Sequence, residues 1–315
     1  MKRPRFMIGA SILLLFGVIL TAQRTATWAE ASIDYPGPKP QGLTPEVFAP
    51  GFISEPGASV FNISFALDGQ MIVFRRNRNN VAETLVTEYK EGRWTKPQVS
   101  PLFPEVPDFV SPSKAYYALR DKIFVMEKTP NGWSEGKLLI EVKNSGPRFT
   151  VAGNGNIYVP VFLPVPDTSH GESNLDIFVL RLKNGVYQAP ERLPDSVNSN
   201  RNEEHLYIAP DESYLLFDSE RPGGLGKSDL YISFLRPDGS WSQPRNLGSP
   251  INTAEYDFNG RVSPDGKYLF YCSGADGQLH WVDFQAVLRS IDAPAVGQLG
   301  QTRADGDSEA LIKAK

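Results

Sequence analysis

Cysteine is nearly absent: Cys272 stands alone in 315 residues, and histidine occurs only at His170, His205 and His280. A single thiol excludes an intramolecular disulfide and any cysteine-based metal cluster. No H-E-x-x-H, G-x-S-x-G, P-loop or dinucleotide-binding glycine pattern occurs, so the common motif-borne chemistries have no foothold. Neither sign of charge dominates, with 32 Lys and Arg against 36 Asp and Glu. A mildly acidic balance gives no electrostatic footprint for nucleic acid. With 27 Gly and 26 Pro the chain is no coiled coil, and with 41% hydrophobic residues it is not a disordered one. The length suits one large domain or two ordinary ones.

The first thirty residues read as an export signal. Lys2, Arg3 and Arg5 precede an apolar run from Ile8 to Leu20, and Ala29-Glu30-Ala31 supplies a small-x-small cleavage pattern. An uncleaved anchor is the other reading, although the run is short of the ~20 residues a span needs. No cysteine lies near the cleavage pattern, so a lipoprotein is not expected. Cleavage after residue 31 removes Lys2, Arg3, Arg5, Arg24 and Glu30 and moves the net charge from −4 to −7.

Beyond the signal the chain repeats itself. An apolar stretch, a turn of the type S-P-D-G and a second apolar stretch recur around Asp68, Ser113, Asn154, Asp211 and Asp265, at spacings of 45, 41, 57 and 54 residues. Proline sets φ at the second turn position, Asp caps the turn, and Gly or Asn takes the positive φ. The flanking stretches are short, aromatic and β-branched, as strands are. A third strand follows in each unit, at 83–87, 122–126, 176–180, 229–233 and 278–282. Then comes a Gly turn and a fourth element carrying an aromatic: Trp94-x-x-Pro97, Trp133, Tyr187-x-x-Pro190 and Trp241-x-x-Pro244.

Four short antiparallel strands at a period of roughly 40 to 55 residues make an all-β protein, a β-propeller of four-stranded blades. Five anchors predict five blades; six is the alternative, if residues 32–58 hold further strands. The last unit lacks its own W-x-x-P element, and residues 43–53 are expected to supply it. The predicted organisation is a signal peptide (1–31), an N-terminal segment closing the ring (32–54), the propeller (55–290) and a flexible tail (291–315).

Over roughly residues 55–285 these units resemble the TolB-type, WD-repeat-like propeller repeats of bacterial exported proteins. The fullest match runs from Pro210-Asp211-Glu212 through the loop Arg221-Pro222-Gly223-Gly224-Leu225-Gly226 to Asp229-Leu230-Tyr231, Trp241-Ser242-Gln243-Pro244 and Ile251-Asn252-Thr253. Unit five repeats Ser263-Pro264-Asp265-Gly266-Lys267-Tyr268-Leu269-Phe270 without the glycine loop. The resemblance implies the fold and export, and it leaves function open, because such propellers are mostly binding platforms and sometimes enzymes.

The innermost strands begin near the central channel. Counting back from the turn anchors brings Asn62, Glu105, Asp108, Arg148, Glu203, Glu204, His205, Asp257 and Asn259 toward one end of them, and charged side chains converging there suggest a polar ligand pocket. The competing reading is that they tie neighbouring blades together. Glu203 and His205 share a strand face, yet two ligands are too few for a metal, and no cofactor is expected. Glu105, Glu203 and Asp257 invite a glycosidase reading, without the sialidase arginine triad or aspartate box. Arg221 and Asp229 flank the glycine loop and are expected to pair across it. Trp94, Trp133 and Trp241 are expected to pack between blades. The reading that follows is an exported, monomeric, non-enzymatic binding or scaffold protein of the cell envelope. It recognises an envelope protein or a polar small molecule such as a saccharide at the channel mouth, with no membrane span after cleavage. Truncating Arg148 or Glu203 is expected to remove binding without lowering the melt.

Overall fold

In the computed structural model, residues 33–146, 148–163 and 174–292 are described. The stretch expected from sequence to be a signal peptide, 1–31, lies outside them, and so does the chain from 293 onward. A short strand, β1 (Glu46–Val47), precedes five antiparallel meanders. Blade one is β2 (Ala58–Phe65), β3 (Met71–Arg78), β4 (Val81–Lys90), β5 (Arg93–Trp94) and β6 (Gln98–Val99). Blade two is β7 (Asp108–Ser111), β8 (Lys114–Leu119), β9 (Lys122–Thr129), β10 (Gly132–Trp133) and β11 (Lys137–Glu141). Blade three is β12 (Thr150–Val151), β13 (Ile157–Leu163), β14 (Asn174–Leu180), the hairpin β15 (Leu182–Lys183) and β16 (Val186–Tyr187), and β17 (Glu191–Arg192). Blade four is β18 (Glu203–Ile208), β19 (Tyr214–Ser219), β20 (Asp229–Phe234) and β21 (Arg245–Asn246). Blade five is β22 (Asp257–Val262), β23 (Tyr268–Ser273) and β24 (Gln278–Asp283), with β1 pairing antiparallel to β24 as its outer strand.

The first strands of the blades touch in a closed cycle: β2 to β7, β7 to β12, β12 to β18, β18 to β22, and β22 back to β2. This is a five-bladed propeller. Its core is split in the same way, into five buried clusters, one between each pair of adjacent blades. A blade is apolar on both faces because each face is covered by a neighbour, which is why the strands read as short apolar runs rather than as alternating ones. The fifth interface joins the two ends of the propeller. Phe48 and Ile53 from the N-terminal segment pack with Phe65 and Phe74 of blade one and Phe270 and Trp281 of blade five.

The turns explain their own sequences. In Ser263-Pro264-Asp265-Gly266, the Ser263 hydroxyl donates to Asp265 (2.7 Å) and accepts from the backbone N–H groups of Lys267 and Tyr268, while Gly266 sits at φ +70°. The equivalent place in blade four is held by Glu212 at φ +60°, where a side chain is strained. Its carboxylate accepts from Asn154 Nδ2, Asn156 Nδ2 and the Tyr158 hydroxyl of blade three (2.7–2.9 Å), which offsets that strain by binding two blades together.

Two corrections concern the outer part of the blades. The recurring aromatic does not sit on the outermost full strand. Trp94 and Trp133 lie on β5 and β10, short returns of the hairpins that end β4 and β9, Tyr187 lies on β16, and Trp241 makes a single bridge to Leu235. The outer strand comes after it, at β6, β11, β17 and β21. The hydroxyl after each tryptophan (Thr95, Ser134, Ser242) accepts a third-strand N–H at 2.9–3.0 Å, so the aromatic is pinned before the outer strand begins. The three tryptophans do join the interblade clusters, Trp94 between blades five and one, Trp133 between one and two, and Trp241 between three and four. The second is a helix, α1 (Phe284–Asp292), at the expected junction of propeller (55–290) and tail (291–315), where the sequence reading has no helix. Asp283 caps it, accepting from Ala286 N–H at 2.9 Å, and Phe284 and Val287 bury against Tyr214 and Val282.

Candidate functional site

The inner strands of blades four and five carry matching bulges. In β18 the pairing jumps from Glu204↔Asp218 to Tyr207↔Leu216, and in β22 from Phe258↔Cys272 to Arg261↔Phe270. The first bulged residues are His205 (φ +39°) and Asn259 (φ +58°), both non-glycine residues at positive φ. A bulge re-aims its residue, and here the His205 ring and the Asn259 backbone N–H meet at one carboxylate. His205 Nδ1 lies 3.0 and 3.1 Å from the two oxygens of Asp218, whose Oδ1 also accepts from Asn259 N–H at 3.1 Å. On the other side of the ring, His205 Nε2 is 3.0 Å from Arg148 Nε. A guanidinium only donates and a carboxylate only accepts, so the proton belongs on Nδ1 and the Nε2 lone pair faces Arg148. Arg148 continues to Glu204 at 3.2 Å, and the His205 ring packs on Phe258 at 5.3 Å.

These groups line a cleft of about 390 Å³ at the mouth where the inner strands begin. Its walls come from four blades: Phe61 of blade one, Arg148 ahead of β12, Glu204, His205, Asp218 and Glu220 of blade four, and Tyr256 and Phe258 of blade five. The opposite mouth, where the turns lie, narrows to about 40 Å³ between Leu67, Pro210 and Pro264. It is crossed by Asp108, which accepts from Arg261 (2.7 Å), Thr150 Oγ1 (3.1 Å) and Val151 N–H (2.7 Å).

Of the residues picked out from the sequence, the structure brings Arg148, Glu204 and His205 to the open cleft, while the Asn259 amide donates to the carbonyl of Phe61, a residue of its wall. Asp108 clamps the closed mouth. Asn62 follows the bulge at Phe61 and faces Arg75 on β3. Glu105 is ion-paired to Arg75, whose guanidinium lies over the Phe61 ring at 6.0 Å.

Glu203 and Asp257 part from the others. Both are 0% exposed. Glu203 accepts from Ser199 Oγ (2.6 Å), Ser219 Oγ (2.8 Å), Ser199 N–H (3.0 Å) and Arg221 (2.9 Å), and Asp257 accepts from Ser273 Oγ (2.8 Å) and Thr253 N–H. They are equivalent struts that tie a blade's first strand to its second and to the incoming loop. Burial raises the Glu203 carboxyl above the usual carboxylate range, against the lowering pull of Ser199, Ser219 and Arg221. Neither lines the open cleft, where the glycosidase reading needs two of its three carboxylates and the metal reading needs a partner for His205. Arg221 and Asp229 do not hold each other across the glycine loop: Arg221 goes to Glu203, and Asp229 takes the N–H groups of Leu225 and Gly226 and the Asn246 amide.

Spacing from the turns missed Asp218, Glu220 and the aromatic walls. Asp218 had a signal, being the one charged residue in Tyr214–Ser219, a strand buried along its whole length. Phe61, Tyr256 and Phe258 had none, because their neighbours in space belong to other blades.

No family model matches the sequence, and no curated protein matches it. Among solved structures it is similar to TolB from Acinetobacter baumannii, at 14% identity and a TM-score of 0.42, over 71% of this chain and 54% of that one. It is similar to a gluconolactonase from Xanthomonas campestris, at 14% identity and 0.41, over 79% and 87%. A chain of a nidogen/laminin complex shows 13% identity and 0.46, over 75% and 80%. This chain thus spans about half the length of that TolB chain.

Proposed function

We propose that the protein is an exported binding propeller of the cell envelope that holds a polar ligand, or a polar segment of a partner, in the cleft at its open mouth. The observation that carries this is the asymmetry of the channel: one end is clamped by Asp108 and Arg261, while the other opens on His205, Arg148 and Glu204 with a volume of about 390 Å³. That volume falls in the range of small-ligand sites, ~300–1,000 Å³. Interlocked blades hold the walls rigid, so the site is preformed and little ordering cost accompanies binding. Export rests on the charged, apolar and small-x-small order of residues 1–31. Monomeric function and an envelope partner belong to the same proposal.

The test is a binding screen by NMR on the protein from residue 32 onward, followed by Tyr256→Ala and Glu204→Ala. Both side chains stand at the cleft wall, so binding falls while the melting temperature stays within a degree or two, as for surface changes. Unchanged binding in both variants, or turnover of aryl glycosides by the pure protein, overturns the proposal.

A further inference from the structure

We propose that the group taken by the open mouth is an organic cation, a primary ammonium on an alkyl stem; this rests on the mouth being the binding site. Among the described residues the walls carry three carboxylates, Glu204, Asp218 and Glu220, against one guanidinium, Arg148, which donates to His205 Nε2. An anion entering here would meet an excess of like charge. It would also have to draw Arg148 away from Glu204 and from the His205 lone pair.

A cation meets the reverse. Glu220 is exposed, and among the described residues its carboxylate has one long contact, 3.4 Å, from the Asn202 amide, so it keeps acceptor capacity. The aromatic walls add the negative faces of three rings, and a cation over such a face is attracted to it. Two of these rings already attract cations of the protein itself. Arg75 lies over Phe61 at 6.0 Å, and Lys227 over Tyr256 at 5.5 Å. Tyr256 is 47% exposed, which leaves room for a guest at the rim. An alkyl stem suits Phe61 and Phe258, and the ammonium suits the carboxylates beyond them.

Arg148 is then the internal occupant of the site. It bridges Glu204 and His205 as a ligand ammonium would bridge Glu204 and Glu220, so guest and arginine compete for Glu204. The sign of its truncation separates the two charge classes. For a cationic ligand, Arg148→Ala removes the competitor and tightens binding. For an anionic ligand it removes the one cation among the described lining residues and abolishes binding.

The experiment titrates the protein from residue 32 onward with 1,5-diaminopentane, Nα-acetyl-lysine methylamide, acetate and glucose, following the His205 and mouth resonances. The two amines are expected to bind, more weakly as salt rises. Affinity should fall on the order of tenfold in Glu220→Gln and in Glu204→Gln, and rise severalfold in Arg148→Ala. Tighter binding of the diamine marks a free amine as the source, and tighter binding of the lysine derivative a basic peptide side chain. Saturable binding of acetate or glucose without the amines overturns the cation assignment and leaves the mouth as the binding site. No perturbation of the mouth by any of the four overturns both. Glu220 is exposed, so its variant folds and its result stands on its own.

Discussion

Asp108 on β7 and Arg261 on β22 meet across the closed end of the channel, carboxylate oxygen to guanidinium nitrogen at 2.7 Å, although 153 positions separate them in sequence. The carboxylate also takes the Thr150 hydroxyl and the Val151 N–H, and Thr150 Oγ1 accepts the Ile208 N–H. One aspartate thus joins blades two, three and five, and blade four through Thr150. Arg261 is held from the other side by the Tyr207 ring, 5.4 Å away. Asp108→Ala leaves a largely buried guanidinium and an N–H without their acceptor. Chemical denaturation should show a loss of about 3–5 kcal/mol, with amine binding at the far mouth unchanged. A loss within the scatter of surface substitutions would show that the clamp is not structural.

Glu203→Ala should lower stability by roughly 2–4 kcal/mol, because Arg221, Ser199 and Ser219 lose a common acceptor inside the protein. Glu203→Gln keeps one acceptor and should lose less. The pH dependence has a definite sign. Burial holds the folded carboxyl above its unfolded value, so Glu203 contributes fully below the ordinary carboxylate range. That contribution is lost as pH rises through its raised folded value. Denaturation midpoints of the wild type and Glu203→Gln measured on the rising side of that range should therefore converge; parallel curves would refute the assignment.

Ring closure predicts an effect far from the mouth. Phe48 is fully buried, with its ring 4.9 Å from Phe270 and 5.0 Å from Trp281, and its N–H donates to the Leu279 carbonyl at 2.8 Å. Phe48→Ala should cost about 3–5 kcal/mol. A chain beginning after residue 53 lacks β1 as well and should lose its cooperative transition in urea. A cooperative melt for that truncated chain would mean the fifth blade stands without its borrowed strand.

Alkali should unfold the protein through its buried tyrosines. Burial raises the hydroxyls of Tyr35, Tyr158, Tyr207, Tyr214 and Tyr271 well above the usual phenol, and pushes Tyr187 up to about 12. Each contributes stability that is complete below the unfolded phenol range, ~10, and is lost as pH rises through the folded value. Phenolate absorbance and loss of near-ultraviolet circular dichroism should appear together in an alkaline titration. Smooth ionisation of all tyrosines at the ordinary phenol range, with the fold intact, would contradict the burial.

What can be read along the chain is whatever a blade settles within itself. The turns around Asp68, Asp211 and Asp265, the second and third strands and the count of five anchors depend on neighbours only a few residues away, and local backbone chemistry writes them plainly. Even the borrowed strand leaves a trace: proline stands directly before β6, β17, β21 and β1, as Pro97, Pro190, Pro244 and Pro45. The amphipathic order of Phe284, Val287, Leu288 and Ile291 likewise marks α1. Which carboxylate is a strut and which faces solvent is settled elsewhere. Glu203 and Glu204 are adjacent, yet the pleat sends one to Ser219 and Arg221 inside the blade and the other to Arg148 in the cleft. The bulge at His205 turns its ring toward Asp218, and Phe61, Arg148 and Phe258 arrive from three other blades. Only closure of the ring sets those distances, because each wall of the cleft is built by residues that no local pattern connects.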